Sequence, residues 1–232
     1  YPVTTEIRYP KAGQTNPTMR IGVVKATGGA TRWMDIGNNR DMYYPRIYWH
    51  SSEQLLVMRM RRLQNRWDLL ICNSKSGKKK QGLVEMDENG WVSVHDNYRF
   101  LKKDEIVWIS ERSGYQHLNR HTLKGEELAQ LSDGKWEATR IVHLDEERNV
   151  VYFMANKTSV MESQLYSVSF DGTVLKQLTT EKGNHSIQFS PSGKYFVDSY
   201  SSVSQPTKIV LKKRDGTVVR IIEETEKNQF DN

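Results

Sequence analysis

The sequence holds a single cysteine and six prolines in 232 residues, and no apolar run approaches the roughly 20 residues that a membrane helix needs. Cys72 therefore has no partner for an internal disulfide and cannot build a thiolate metal cage. It sits in the apolar run Leu69-Leu70-Ile71-Cys72, which reads as a buried strand position and not as a nucleophile. No start methionine, charged leader or apolar signal core opens the chain. It begins at Tyr1-Pro2-Val3, as a piece of something longer would. Segregated charge is also missing. The formal net charge is +6, yet basic residues are scattered among acidic ones, and the one dense run, Lys78-Lys79-Lys80, follows Ser76-Gly77 and reads as a solvated hairpin tip. No nucleic-acid partner is expected from that pattern.

Aromatic residues, by contrast, are plentiful: six Trp and eleven Tyr lift them to 10% although apolar residues are only 37%. Disordered chains are poor in aromatics, whereas half-exposed sheets use them freely. A repeat then sets the architecture. Gly28, Gly77, Gly125, Gly172 and Gly216 are separated by 49, 48, 47 and 44 residues. Seven positions before each stands Ile21, Leu70, Leu118, Leu165 or Ile209, and six after each stands Met34, Leu83, Leu131, Leu178 or Ile222. Each glycine lies in a polar turn between alternating runs, as in Gln164–Phe170, Asp171-Gly172 and Thr173–Leu178, which is a hairpin pattern. Between these turns a second hairpin recurs, as Tyr44–Trp49 with Gln54–Met58, Asp96–Phe100 with Glu105–Ile109, Thr139–Leu144 with Val150–Met154, and His185–Phe189 with Tyr195–Val197.

Four strands per repeat of about 45 residues is the signature of a propeller blade. The expected fold is all-β, a β-propeller fragment of about four and a half four-stranded antiparallel blades. No segment sustains a helical period, although Gly125–Leu131 fits a short helical turn. The expected division is 1–20 as an amino-terminal arm, 21–43 as the outer hairpin of a blade, then successive blades at 44–94, 95–135, 136–183 and 184–222, with 223–232 leading onward.

Catalytic patterns are absent from these residues. A nucleophile elbow needs Gly-x-Ser-x-Gly, and no such stretch occurs; Ser76 and Ser192 precede turn glycines of the repeat. Ser74–Lys79 lacks the first glycine and the following Ser/Thr of a phosphate loop. His117 and His121 share a strand face, where a spacing of four places them about 13 Å apart, too far for one zinc. Glu126-Glu127 and Glu146-Glu147 read as solvated turn charges. No catalytic residue, metal site or cofactor is assigned.

Several stretches nonetheless resemble one family, the dipeptidyl peptidase IV-like serine peptidases of the prolyl oligopeptidase clan. They are Arg59-Met60-Arg61-Arg62-Leu63-Gln64-Asn65-Arg66-Trp67-Asp68-Leu69-Leu70, Gly90–Asp96, Ser110–Leu118, Gly134–Glu137, Gln164–Val168 and His185–Phe196, with Tyr9-Pro10-Lys11-Ala12-Gly13-Gln14-Thr15-Asn16-Pro17 near the start. The resemblance spans nearly the whole chain in order, and is of bacterial type at these motifs. It implies an eight-bladed ring of which this chain is the second half, followed by an α/β-hydrolase domain that 223–232 would reach. It implies a parent that releases N-terminal di- or tripeptides, usually after proline, from peptides, and that is exported to the periplasm or cell envelope as a homodimer.

The family's triad and its paired-glutamate motif are not in these residues. Here the propeller would gate substrate entry and support binding of the substrate amino terminus. Residue by residue, the resemblance nominates His95 and Asp96 as substrate-proximal, with Trp91 as packing support. An Asp that caps the turn beside an exposed His is the plainer reading of the same pair. Tyr9, Pro10 and Lys11 fall on the family's dimerisation arm. The alternative is a stand-alone propeller-like module that binds proteins or glycans.

Overall fold

A computed structural model describes residues 2–7 and 9–225. Among these residues there is no helix, and the strands form four four-stranded sheets and one two-stranded sheet. Every pairing between the strands is antiparallel and joins neighbours in the chain, so each four-stranded sheet is a simple meander, the form of a propeller blade. The chain is an all-β propeller fragment. It divides into two compact units.

The first unit runs to Val94 and includes Leu123–Gly125. Its strands are β1 (Gly22–Val23) and β2 (Arg32–Trp33), which pair with each other, and the sheet β3 (Met42–Trp49), β4 (Gln54–Arg61), β5 (Arg66–Asn73) and β6 (Lys79–Met86). Its core joins Ile21, Met34 and Ile36 to Leu55, Val57, Leu70 and Cys72. The lysine run is not wholly a hairpin tip, because Lys79 and Lys80 open β6. Lys79 is held there by an ion pair of 2.8 Å to Asp35.

The second unit holds three sheets. They are β7 (Tyr98–Leu101), β8 (Glu105–Ser110), β9 (His117–Thr122) and β10 (Glu127–Gln130); β11 (Ala138–Asp145), β12 (Val150–Ala155), β13 (Gln164–Ser169) and β14 (Leu175–Gln177); and β15 (Asn184–Phe189), β16 (Tyr195–Ser202), β17 (Gln205–Lys213) and β18 (Val218–Glu224). The helical turn expected at Gly125–Leu131 is instead strand β10. Leu131 donates its N–H to Leu118 O at 2.8 Å, a long-range bond that holds this short segment extended. Strand β18 runs through Glu224, while residues 226–232 of the stretch expected as a connector lie outside the described residues.

Apolar side chains fill the spaces between successive sheets. Val107, Ile109 and Leu118 meet Ile141, Val151 and Phe153, with Trp136 stacked at 6.3 Å on Phe153 and 6.4 Å on Tyr166. Tyr152, Met154 and Leu165 in turn meet Ile187 and Phe196.

The repeat has a physical basis. All five turn glycines have positive φ, between 75° and 97°, which other residues adopt only with strain. Four of them also abut the backbone of the preceding repeat. A Cβ would fall 2.5 Å from Trp33 O at Gly77, 3.3 Å from Leu83 Cα at Gly125, 2.7 Å from Gln130 O at Gly172 and 2.5 Å from Leu178 O at Gly216. These neighbours belong to the fifth or sixth residue after the previous glycine. The six-residue offset therefore marks where the next blade's turn seats.

Within a hairpin the two offsets also face one another: Met34, Leu131 and Leu178 donate to Ile21, Leu118 and Leu165 at 2.8–2.9 Å. The pattern weakens in the last repeat, where Ile209 is half-buried and Ile222 is 49% exposed.

Candidate functional site

The segment from Asp87 to Asn97 carries the nominated residues and is divided between the two units. On the side of the first unit, Asp87 donates its N–H to Asn65 O at 3.0 Å and accepts from Asn89 N at 2.9 Å. A Cβ on Gly90 would fall 2.5 Å from Asp87 Oδ2, so a side chain there would displace the Asp87 carboxylate. Val92 donates to Gln64 O at 2.9 Å and is buried, whereas Trp91 is 59% exposed. Val92, not Trp91, is therefore the residue that packs.

On the side of the second unit, His95 is half-buried and both of its ring nitrogens are engaged. Nε2 lies 2.9 Å from Ile109 O, and Nδ1 accepts the Asn97 N–H at 3.2 Å. A nitrogen that accepts from an amide carries no hydrogen, so Nε2 is the donor to Ile109. The backbone closes the same ring of contacts, since Ile109 N donates to Asn97 O at 3.0 Å. His95 thus fastens the loop to β8. Asp96 beside it is exposed, and its carbonyl accepts from Arg99 Nη1 at 3.2 Å. Sequence alone could not place the His95 anchor, because its acceptor lies 14 residues away in a main-chain carbonyl.

The amino-terminal arm lies in the first unit. Tyr9 is 77% exposed, Lys11 is exposed and Pro10 is half-buried. Lys11 and Gln14 close a turn through Gln14 N to Lys11 O at 3.0 Å and Lys11 N to Gln14 Oε1 at 2.9 Å. Arg62 then donates to Gln14 O at 2.6 Å and ties the arm to the end of β4. Tyr9, Pro10 and Lys11 border a cavity of about 470 Å3 closed by Met42, Tyr43 and Arg62.

The two strand histidines of the second unit are structural. His117 Nε2 donates to Gly134 O at 2.9 Å, and its Nδ1 lies 3.1 Å from Ser132 Oγ. His121 sets its edge against Trp108 at 5.9 Å.

One polar constellation escaped sequence reasoning. Asp198 is fully buried, with His185 Nδ1 at 2.8 Å from Oδ1 and Lys212 Nζ at 3.0 Å from Oδ2. Lys212 also reaches both Glu181 oxygens at 2.9 Å, and His185 Nε2 donates to Glu181 O at 2.8 Å. That carbonyl accepts from Gln164 Nε2 of the preceding sheet as well. Burial works to lower the Lys212 pKa, but the two carboxylates outweigh it and hold the amine above its ordinary range. Burial likewise works to raise Glu181, and the Lys212 bond brings it below. The available signal was strand alternation, which puts Asp198 on the same face as Phe196 and Tyr200.

Comparison with known proteins agrees with the blade architecture. The family model described as the dipeptidyl peptidase IV (DPP IV) N-terminal region matches residues 1–207. Among curated relatives, a probable dipeptidyl peptidase 4 of Emericella nidulans is 26% identical over 222 residues, covering 89% of this chain and 29% of the relative. One of Aspergillus fumigatus is 28% identical over 218 residues, covering 89% and 28%.

The crystal structure of Porphyromonas gingivalis dipeptidyl peptidase 4 superposes with a TM-score of 0.85 at 24% identity, over 96% of this chain and 32% of that one. That of a putative dipeptidyl aminopeptidase IV from Bacteroides ovatus gives 0.80 at 23%, over 97% and 35%. The chain thus spans less than a third of the curated relatives' length. With the family model matching most of its length, this chain belongs to the dipeptidyl peptidase IV N-terminal region family.

Proposed function

We propose that this chain is the non-catalytic propeller portion of a serine-type exopeptidase that releases N-terminal di- or tripeptides, usually after proline. The observation that carries the reading is the family match over residues 1–207, joined to blades whose side chains are committed to packing and turns. The hydrolytic groups would come from an α/β-hydrolase domain of the same protein, because Gly-x-Ser-x-Gly is absent from these residues.

The propeller would contribute exclusion and positioning. Folded proteins would be too large to pass it, while short peptides would reach the reacting centre. The fastening of His95 to Ile109 O supports a loop held in one place, with Asp96 exposed beside it as the substrate-proximal acid. The arm through Tyr9, Pro10 and Lys11 would join two parents in a homodimer, and the parent would be exported.

The test is hydrolysis of Gly-Pro-p-nitroanilide by the complete protein and by the 232-residue chain. Turnover by the complete protein, with none by the shorter chain, is expected. A complete protein without a hydrolase domain and without turnover would overturn the reading.

A further inference from the structure

The amino-terminal arm and the start of β3 enclose the cavity of about 470 Å3, which lies wholly in the first unit. Tyr9, Tyr43 and Tyr44 line it together with Pro17, Met19 and Met42. A cleft of that size suits a small molecule or the end of a peptide chain. The local sequence builds it. Gly13 turns the arm with a φ of +83°, and Pro17 restricts Asn16 to extended backbone. Arg62 holds Gln14 O at 2.6 Å, and Asn39 Nδ2 holds Met19 O at 2.7 Å. The arm is thus fastened on both sides of Asn16.

The polar groups in this apolar lining favour one sign of charge. Asn16 is 8% exposed, and its Nδ2 has no acceptor among the described residues. A buried donor without an acceptor is costly, and a fold that keeps one beside a cavity points to a ligand that supplies the acceptor. Lys11 is exposed, and its amine makes no ion pair among the described residues. Arg62 is paired with Asp41 at 3.1 Å, so Lys11 carries the uncompensated charge. No acidic side chain lines the cavity among the described residues. An anion would therefore meet an unpaired cation and an unspent amide donor. An apolar or aromatic group beside it would meet three tyrosines.

The turn 62–65 between β4 and β5 connects this cavity with the loop that carries Trp91. Arg62 grips the arm, Gln64 O accepts from Val92 N at 2.9 Å, and Asn65 O accepts from Asp87 N at 3.0 Å. We propose that the cavity binds the carboxyl-terminal residue of a short peptide. Its carboxylate would lie on Lys11 Nζ and Asn16 Nδ2, and its apolar or aromatic side chain among Tyr9, Tyr43 and Tyr44. The choice of a peptide rests on the reading of the complete protein as an exopeptidase; the choice of an anion on an apolar body rests on the cavity alone. The site takes the end of the peptide opposite to the one that is cut. It gives the arm a second role beside the proposed dimer contact.

The probe is acetyl-Ala-Phe, whose blocked amino terminus keeps it from acting as an exopeptidase substrate. It is added to the complete protein, isotope-labelled at its methionine methyl groups for nuclear magnetic resonance. Met19 and Met42 line the cavity, and replacing each by Leu assigns its signal. Saturable shifts of both signals are expected. Acetyl-Ala-Phe-amide should bind at least about tenfold more weakly, because the charged acceptor is gone. Lys11→Met should weaken the acid by a similar factor and leave the amide unchanged. Signals that do not move, acid and amide bound alike, or a Lys11→Met protein that still prefers the acid would each overturn the proposal. So would loss of both ligands together with dissociation of the dimer in sedimentation, since Lys11 would then serve the dimer contact alone. Turnover of Gly-Pro-p-nitroanilide is read separately. Its absence with the shifts intact sinks only the peptidase reading, and its presence without shifts sinks only the cavity.

Discussion

The carbonyl oxygen of Leu178 stands 2.5 Å from the point that a Cβ on Gly216 would occupy, a contact that real Cβ atoms do not make. Glycine is required there twice over, by a φ of +91° and by the backbone of the preceding sheet. Gly28, with a φ of +86°, has nothing within 4 Å of its missing Cβ.

The pair makes a controlled comparison. Gly216→Ala and Gly28→Ala both incur the strain of a left-handed backbone, but only the first drives a methyl group into a carbonyl. Overpacking of this kind costs about 1–3 kcal/mol beyond the backbone strain, so Gly216→Ala should be the more destabilising by that margin. Chemical denaturation of the two variants checks it. Equal losses would mean that conformational freedom alone fixes the glycine.

The charge cluster of the last sheet invites a second substitution. Lys212 is 2% exposed at its side chain and compensates an Asp198 that is 0% exposed. Lys212→Met leaves that carboxylate buried with only His185, and removal of one partner from a buried pair costs roughly 3–5 kcal/mol. Asp198→Asn in the same background should recover part of the loss, because the uncompensated charge goes with it.

The pH dependence of the cluster has a definite sign. Glu181 is lowered from its ordinary value of 4.5, so its share of stability is fully present above that value and is lost as pH falls through the folded-state value. Lys212 is raised from 10.5, so its share is present below that value and is lost only as pH climbs through the folded-state value. The stability difference between the wild type and Glu181→Gln should therefore be constant from about pH 6 to 9 and shrink in acid below pH 4.5. Urea titrations across that range read it directly. A difference that grows in acid would reverse the assignment.

Much of this arrangement was legible from spacing. Glycines at near-constant intervals, flanked by apolar residues at two offsets, identify hairpins because the offsets are hydrogen-bonded neighbours such as Leu178 and Leu165. The rule fails where geometry departs from the regular ladder. In the last repeat a bulge slips Ile209 opposite Glu223, and Ile222 stands at the surface. The segment Gly125–Leu131 carried no marker distinguishing a short turn of helix from a four-residue strand; its state is set by Leu118, which lies outside the segment.

Lys212 and Asp198 read as surface residues by type, and only their mutual compensation admits them to the interior. His95 was legible as a nominated position but not as a fastener, since main-chain acceptors such as Ile109 O leave no trace in residue identity.

Cys72 offers a probe of unfolding. It is 0% exposed, and burial pushes its thiol up to about 11, so neither access nor thiolate is available in the folded protein. Alkylation by iodoacetamide at neutral pH should therefore be negligible until the first unit opens. Its rate should rise with urea in parallel with the loss of near-ultraviolet circular dichroism. Rapid labelling in buffer would show that the strand pair Leu55↔Cys72 opens far below the global transition.

The loop residues can be separated by what each would change in the complete peptidase proposed above. His95→Ala removes the donor to Ile109 O and the acceptor for Asn97 N–H, so its first effect should be on the melting temperature and on the position of the whole loop. Asp96→Asn keeps the side-chain shape and the carbonyl that receives Arg99, and removes the charge. Exposed ion pairs contribute about 0.2–1 kcal/mol, which is a roughly 1.4- to 5-fold change in an equilibrium constant. Asp96→Asn should therefore raise KM by up to that factor for peptides bearing Lys or Arg near the scissile bond. Neutral peptides should be affected less. Because exposed charges are screened within about 10 Å at 0.1 M salt, the difference between the two enzymes should narrow as salt is raised toward 1 M. A KM change equal for basic and neutral peptides, or insensitive to salt, would mean that Asp96 acts through the loop's shape and not through its charge.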